Sequence, residues 1–148
     1  MNDPVAILKR DHREVAQMLK TLDGSKPGAR RRQTVDKLTQ SLELHMEIEE
    51  RDIYPVVRRV VGKEEAEEAG IEHGLVREGL ADLRRLVDDP GFGAAVAMLT
   101  AGVRHHVKEE EQEVFPELKR KIDRDELAEL GDRVAAAKKP ARRTRAAA

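Results

Sequence analysis

The sequence predicts an all-α fold, an antiparallel four-helix bundle of two repeated helical hairpins, followed by a short fifth helix and a disordered basic tail. Three observations lead there. Charged residues make up 39% of the 148 residues and aromatics only 2%, a balance that favours helices with solvated outer faces over a β fold. Apolar residues recur at spacings of three, four and seven. The chain also repeats itself: His12 and His45 lie 33 residues apart, as do His73 and His106, and a shift of 61 carries the first pair onto the second.

The helices follow in order from their boundaries and stripes. Asp3 before Pro4 is an N-cap with proline in the first turn, and Gly24 closes the segment, so the first helix is expected from Pro4 to Asp23. Its buried stripe is Val5, Leu8, His12, Val15, Leu19 and Leu22. The second starts near Arg30 to Gln33 and ends by Gly62, with Val35, Leu38, Leu42, His45, Glu49, Val56 and Val60 inward. The third carries Ala69, His73, Val76, Leu80, Leu83 and Val87; its glycines 70, 74 and 79 weaken it locally but permit close approach. The fourth is expected to begin at an Asp89 cap and to bury Val96, Leu99, Val103, His106, Glu110, Val114 and Leu118. Tyr54-Pro55 and Phe115-Pro116 should each bend their helix or shift its local pattern.

Beyond the repeat, Asp123 and Glu126 form a capping box, with Leu127, Leu130 and Val134 as the stripe of a fifth helix that Gly131 is expected to cut short. The basic segment from Lys138 shows no apolar period and reads as a disordered, solubilising tail. The expected organisation is therefore 1–122 for the bundle, 123–137 for the accessory helix and 138–148 for the tail.

Composition excludes several functions. A net charge of -1 predicts no general attraction to nucleic acid or membrane. The absence of cysteine removes disulfides, thiolate sites and iron–sulfur clusters, so any metal must take nitrogen and oxygen ligands. The apolar run Val5 to Leu8 is too short for a signal-peptide core, and Pro90 to Val103 too short to span a bilayer, so a cytoplasmic protein is expected.

The repeat carries chemistry as well as fold. The 61-residue shift takes Glu49 onto Glu110, Glu50 onto Glu111, Tyr54 onto Phe115 and Pro55 onto Pro116. Core packing explains repeated Leu or Val, not repeated His and Glu. Buried imidazoles and carboxylates are costly unless paired or coordinated, so their recurrence in phase suggests a metal site of two similar halves. At about 1.5 Å per residue, His73 lies roughly 21 Å before the chain reverses and His106 roughly 24 Å after it restarts, so the two rings are level across a hairpin. The equal spacing brings His12 beside His45. His and Glu at i and i+4 project from one helix face. Packing the hairpins together gathers His12, His45, His73 and His106 with Glu49 and Glu110, and the two carboxylates can bridge two metal ions that each receive two imidazoles. That donor set suits two iron ions, with manganese and zinc chemically possible.

The segments DHREV at Asp11 to Val15, HMEIEERDIYP at His45 to Pro55, EHGLV at Glu72 to Val76 and HHVKEEEQEVFP at His105 to Pro116 resemble the hemerythrin-like, HHE cation-binding family over about the first 120 residues. Within it the chain is most similar to the H-HxxxE-H-HxxxE group of hemerythrin-like proteins seen in mycobacteria. The resemblance implies a four-helix bundle around a non-heme di-iron centre with an oxo or hydroxo bridge. Oxygen-carrying hemerythrins have a further histidine where this chain has Arg77, and H-x-x-x-x-D where it has His106-x-x-x-Glu110. One nitrogen ligand is thus missing, and the remaining set is nearly symmetric. The departures imply turnover of a small oxidant, foremost catalase-like disproportionation of hydrogen peroxide, rather than oxygen carriage; binding or sensing of oxygen, nitric oxide or iron is the alternative. Ferritin-like sites use Glu-x-x-His pairs, which no histidine here provides.

Other residues divide into candidates and bystanders. Tyr54 is a candidate extra ligand, although nine residues from His45 on an ideal helix places it about 180° away, so a local bulge near Pro55 is required. His105 lies off the stripe and is expected at the surface or behind the ligands. Glu50 and Glu111, turned about 100° from Glu49 and Glu110, are expected in solvent, while Asp52 and Glu113 point back toward the ligand face and are candidates to orient imidazole N–H groups. Arg77 either pairs with a carboxylate at the site or extends outward.

Overall fold

The computed structural model describes residues 2–139, and among these the chain is helical with no strand. Helix α1 (Pro4–Leu22) opens on the Asp3 side chain, which accepts a hydrogen bond from the Val5 amide at 2.9 Å. Helix α2 (Ala29–Ile48) runs into a π-helical segment, π1 (Glu49–Ile53), and then α3 (Tyr54–Val60); α4 (Lys63–Arg85) returns. Helix α5 (Phe92–Glu109) runs through π2 (Glu110–Val114) into α6 (Phe115–Lys121), and α7 (Arg124–Ala137) closes the fold. The π segments fall at the same place in both hairpins, 61 residues apart.

Each proline expected to disturb its helix sits just after one of these π turns. A proline ring has no N–H and crowds the carbonyl of the preceding turn, and a π turn accommodates that misfit by inserting one residue. The insertion shifts the inward face. Ile53, Tyr54 and Val57 are buried after π1, and the expected Val56 and Val60 are only half-buried.

The buried apolar residues form two clusters. One joins α1, α2, α4 and α5 around Leu19, Leu38, Leu80, Leu83, Phe92 and Val96. The other joins Leu8, Ile48, Ile53, Val57, Phe115 and Leu118 to Leu130 and Val134 of α7. Each long helix passes from one cluster to the other through a polar residue: Leu8 and Val15 flank His12, Leu42 and Ile48 flank His45, Ala69 and Val76 flank His73, and Val103 and Val114 flank His106 with Glu110. A buried polar layer thus divides the core.

Three boundary expectations are corrected. The fourth bundle helix begins at Phe92, because Asp89 uses its carboxylate on the Gly91 amide at 2.8 Å and so shapes the turn before the helix. Gly131 does not interrupt α7; it is buried where the helix meets the N-terminal strand of chain, and a Cβ there would lie 1.8 Å from the Asn2 carbonyl oxygen. Close approach, not helix breaking, explains that glycine. Of the three glycines in α4 only Gly79 meets a neighbour, Leu99 of α5; Gly70 and Gly74 face open space. Helix α7 ends at Ala137; Lys138, the first residue of the expected tail, caps it and reaches Asp11, and residues 140–148 of that tail lie outside the described residues. No helix among the described residues is long and apolar enough to cross a membrane.

Candidate metal centre

Four helices each deliver one histidine to the polar layer, and all four rings turn their Nε2 atoms inward. His73 Nε2 and His106 Nε2 are 3.2 Å apart. His12 Nε2 lies 3.1 Å from Glu110 Oε1 and His45 Nε2 lies 3.3 Å from Glu49 Oε1. His73 Nε2 is 3.1 Å from Glu49 Oε1, and His106 Nε2 is 3.3 Å from Glu110 Oε2. The residues form two overlapping groups able to hold a metal ion, His12, His45, Glu49 and Glu110 in one, Glu49, His73, His106 and Glu110 in the other. Both carboxylates belong to both groups.

The outer nitrogens explain why the inner ones point this way. The Nδ1–H of His45 donates to Asp11 at 2.8 Å, and that of His106 to Glu72 at 2.6 Å. His73 Nδ1–H donates to Glu50 at 2.7 Å and His12 Nδ1–H to Glu111 at 2.6 Å. A carboxylate can only accept here, so each ring keeps a proton on its outer nitrogen and turns Nε2 inward as the atom free to ligate a metal once any proton it carries has left. These four carboxylates also obey the repeat: Asp11 shifted by 61 is Glu72, and Glu50 is Glu111. The first pair works within a hairpin, the second between hairpins.

This outer ring differs from the expectation. Glu50 and Glu111 are partly exposed but they hold the imidazoles; their long side chains reach across to the neighbouring hairpin. Asp52 instead turns to Arg51, at 2.8 Å, and Glu113 is exposed; neither touches an imidazole. Asp11 and Glu72 were legible as an acid directly before the first histidine of each hairpin. Arg77 pairs with Glu43 at 3.2 Å and with Glu50 at 2.9 Å, so it braces the carboxylate behind His73. His105 is exposed, beside Glu109 at 3.0 Å and Glu72 at 3.4 Å.

The donor set fits a cation. His12 Nε2, His45 Nε2, Glu49 Oε2 and Glu110 Oε1 are buried without any hydrogen-bond partner. Such groups cost free energy unless something completes them. Burial opposes charge on His45, yet Glu49 and Asp11 outweigh it and lift the imidazole to about 10. His106, against the same burial, is lifted to about 12 by Glu110 and Glu49. Burial pushes Glu49 upward, but the His45 charge and its hydrogen bonds hold it well below the usual carboxylate range. The carboxylates therefore demand positive charge in this layer, which protons on the rings or a bound metal can supply.

The sequence matches the hemerythrin HHE cation-binding domain over residues 3–118. The chain is a hemerythrin-family protein. No individual curated protein and no solved structure gives a match. Family membership makes it a metal-binding domain, and the matched residues take in the whole polar layer, whereas α7 lies beyond them.

Two further features distinguish this hemerythrin-family site. The π1 turn places Tyr54 one π turn after Glu49, with its amide donating to the Glu49 carbonyl, and so swings the ring inward. Its hydroxyl donates to Glu110 Oε2 at 2.5 Å. Burial first, then the charges of Glu110 and Glu49, push this phenol far above its ordinary range, so only a bound cation beside it would draw off its proton. Phe115, the counterpart, stacks on His12 with centroids 6.1 Å apart and brings no oxygen. Second, a cavity of about 20 Å³ is lined by the four histidines and by Val15, Leu42, Met46, Val76, Val103 and Val107. It has room for roughly one water-sized molecule.

Proposed function

We propose that this hemerythrin-family protein is a non-heme di-iron protein that turns over small oxidants, with catalase-like disproportionation of hydrogen peroxide as its reaction. The observation that carries the reading is the pair of overlapping donor groups sharing Glu49 and Glu110 beside a cavity too small for any large substrate. His12 and His45 would hold one iron ion and His73 and His106 the other, with Glu49 and Glu110 shared between the two groups. The Tyr54 oxygen beside Glu110 would add a donor on the His73–His106 side, and Phe115 offers none on the His12–His45 side. The same reading takes the chain as a member of the H-HxxxE-H-HxxxE group of hemerythrin-like proteins known from mycobacteria, working in the cytoplasm; what supports the first is the spacing of His12, His45, Glu49, His73, His106 and Glu110.

When bound, a pair of iron ions supplies a two-electron couple, so that one peroxide is oxidised to O2, yielding two electrons and two protons, and a second accepts them to give two waters. The protein's residues prepare that exchange. Asp11, Glu72, Glu50 and Glu111 hold the four rings with Nε2 turned inward, so the donor atoms are oriented before metal arrives, and a metal would take the place of the protons that His45 and His106 carry. Glu49 and Glu110 hold negative charge and spacing at the centre of the layer. The aliphatic residues that line the cavity beside the histidines leave room for only a molecule the size of water or slightly larger, which favours a small oxidant over a large substrate.

The test is oxygen release. The purified, iron-loaded protein should evolve O2 from hydrogen peroxide over many turnovers, and Glu49→Ala and Glu110→Ala should not. Reversible binding of O2 or nitric oxide by the reduced protein with no turnover of peroxide would replace the enzyme reading with a binding or sensing one.

A further inference from the structure

The buried cavity is closed on most sides, and the surface around it is not uniform. Between α1 and α5 runs a groove of about 820 Å³, and three of its lining residues, His12, Val103 and Val107, also line the cavity. Val103 is buried and Val107 half-buried, so these two aliphatic side chains form the partition between groove and cavity. Outside them stand Lys20, Arg104 and Lys108, all exposed. None of the three pairs with a carboxylate among the described residues. The groove holds two acids, Asp23 at its far end and Glu111, whose carboxylate is already engaged by the His12 ring.

Two other recesses beside the centre have the opposite sign. On the side of Tyr54 and Glu110 a recess of about 20 Å³ is walled by Glu65, Glu68, Glu72, Glu109 and Glu113, with no lysine or arginine. The groove between α4 and α5 offers Glu72, Glu78 and Asp82, again without lysine or arginine. Of these three recesses, two present only acidic charge to a small anion and the α1–α5 groove presents three unpaired cations. Charges lining a cleft act over several ångströms and change association rates more than they change residence times.

We propose that the α1–α5 groove is the access route for small anionic ligands, drawn in by Lys20, Arg104 and Lys108 and admitted past Val103 and Val107. The proposal rests on the iron reading above, since it concerns ligands that reach the metal. It assigns two separable roles: the cations set how often an anion arrives, and Val107 sets how readily it passes.

Stopped-flow mixing of the ferric, iron-loaded protein with azide tests both roles. The Arg104→Glu, Lys108→Glu double variant should keep its iron, bind azide about tenfold more slowly at low ionic strength, and leave dissociation unchanged. Added salt should slow the wild type toward the variant. Val107→Ala should speed association and dissociation together, leaving Kd unaltered, and Val107→Phe should slow both. Neutral nitric oxide should respond to the Val107 variants but not to the charge reversal. Azide kinetics indifferent to both sets of variants, or altered instead by Glu68→Gln with Glu113→Gln, would overturn the route. Peroxide turnover is scored separately: azide kinetics that behave as stated without O2 release would sink the enzyme reading alone, and O2 release by a wild type that binds no azide would sink the route alone.

Discussion

The hydroxyl of Tyr54 donates to Glu110 at 2.5 Å, and among the described residues no hydroxyl does the same for Glu49, because the repeat places Phe115 where a second tyrosine would stand. The duplicated frame is therefore unequal at this position. Tyr54→Phe makes the two positions alike and removes one oxygen from the His73–His106 side. The iron-loaded wild type should show a visible phenolate-to-iron band that disappears in Tyr54→Phe while two irons remain bound. A spectrum unchanged by the substitution would remove Tyr54 from the ligand set and leave it as a hydrogen-bond donor.

The carboxylates behind the rings should matter almost as much as the ligands. Asp11→Asn, Glu72→Gln, Glu50→Gln and Glu111→Gln each exchange a charged acceptor for a neutral amide that no longer fixes the ring as firmly. Each is expected to weaken metal binding by about 10- to 100-fold, read by competition with a chelator. Asp52→Asn and Glu113→Gln, which touch no imidazole, should leave affinity within about twofold, an outcome that separates this ring of four from a general loss of negative charge.

Gly131 and Gly70 make a paired test of the packing. A methyl group at 131 meets the Asn2 carbonyl, so Gly131→Ala must displace α7 or the N-terminus and should cost about 1–3 kcal/mol. Gly70 lies within α4 with nothing near its Cβ position, so Gly70→Ala should stabilise by about 0.5–1 kcal/mol. Thermal unfolding of the metal-free proteins should move Tm in opposite directions. Equal shifts would mean that α7 is not docked as described.

The amount legible in the sequence differs between particular residues for physical reasons. His12, His45, Glu49, His73, His106 and Glu110 announced themselves because an expensive buried group repeated in register has few explanations besides a shared site. Tyr54 was placed only conditionally, since a 3.6-residue period cannot include a π turn; the proline beside it marked the spot without giving the rotation, which is also why Val56 and Val60 were expected deeper than they lie. Glu50 and Glu111 were assigned to solvent by helix angle alone. Their partners are rings 23 and 99 residues away, and that reach depends on how the hairpins pack. Gly131 misled in the opposite sense: local propensity reads it as a breaker, whereas a contact with Asn2 at the far end of the chain requires it.

The proposed site is a coupled pair of iron ions held by two matched halves of one chain. Iron content measured together with Mössbauer and electron paramagnetic resonance spectra decides whether it exists. Two irons per chain and a ferric pair silent in paramagnetic resonance are expected, with iron content strongly reduced in His12→Ala, His45→Ala, His73→Ala, His106→Ala, Glu49→Ala and Glu110→Ala but retained in His105→Ala. A single iron per chain, giving the resonance of an isolated ferric ion and unaffected by substitution of one histidine pair, would contradict it.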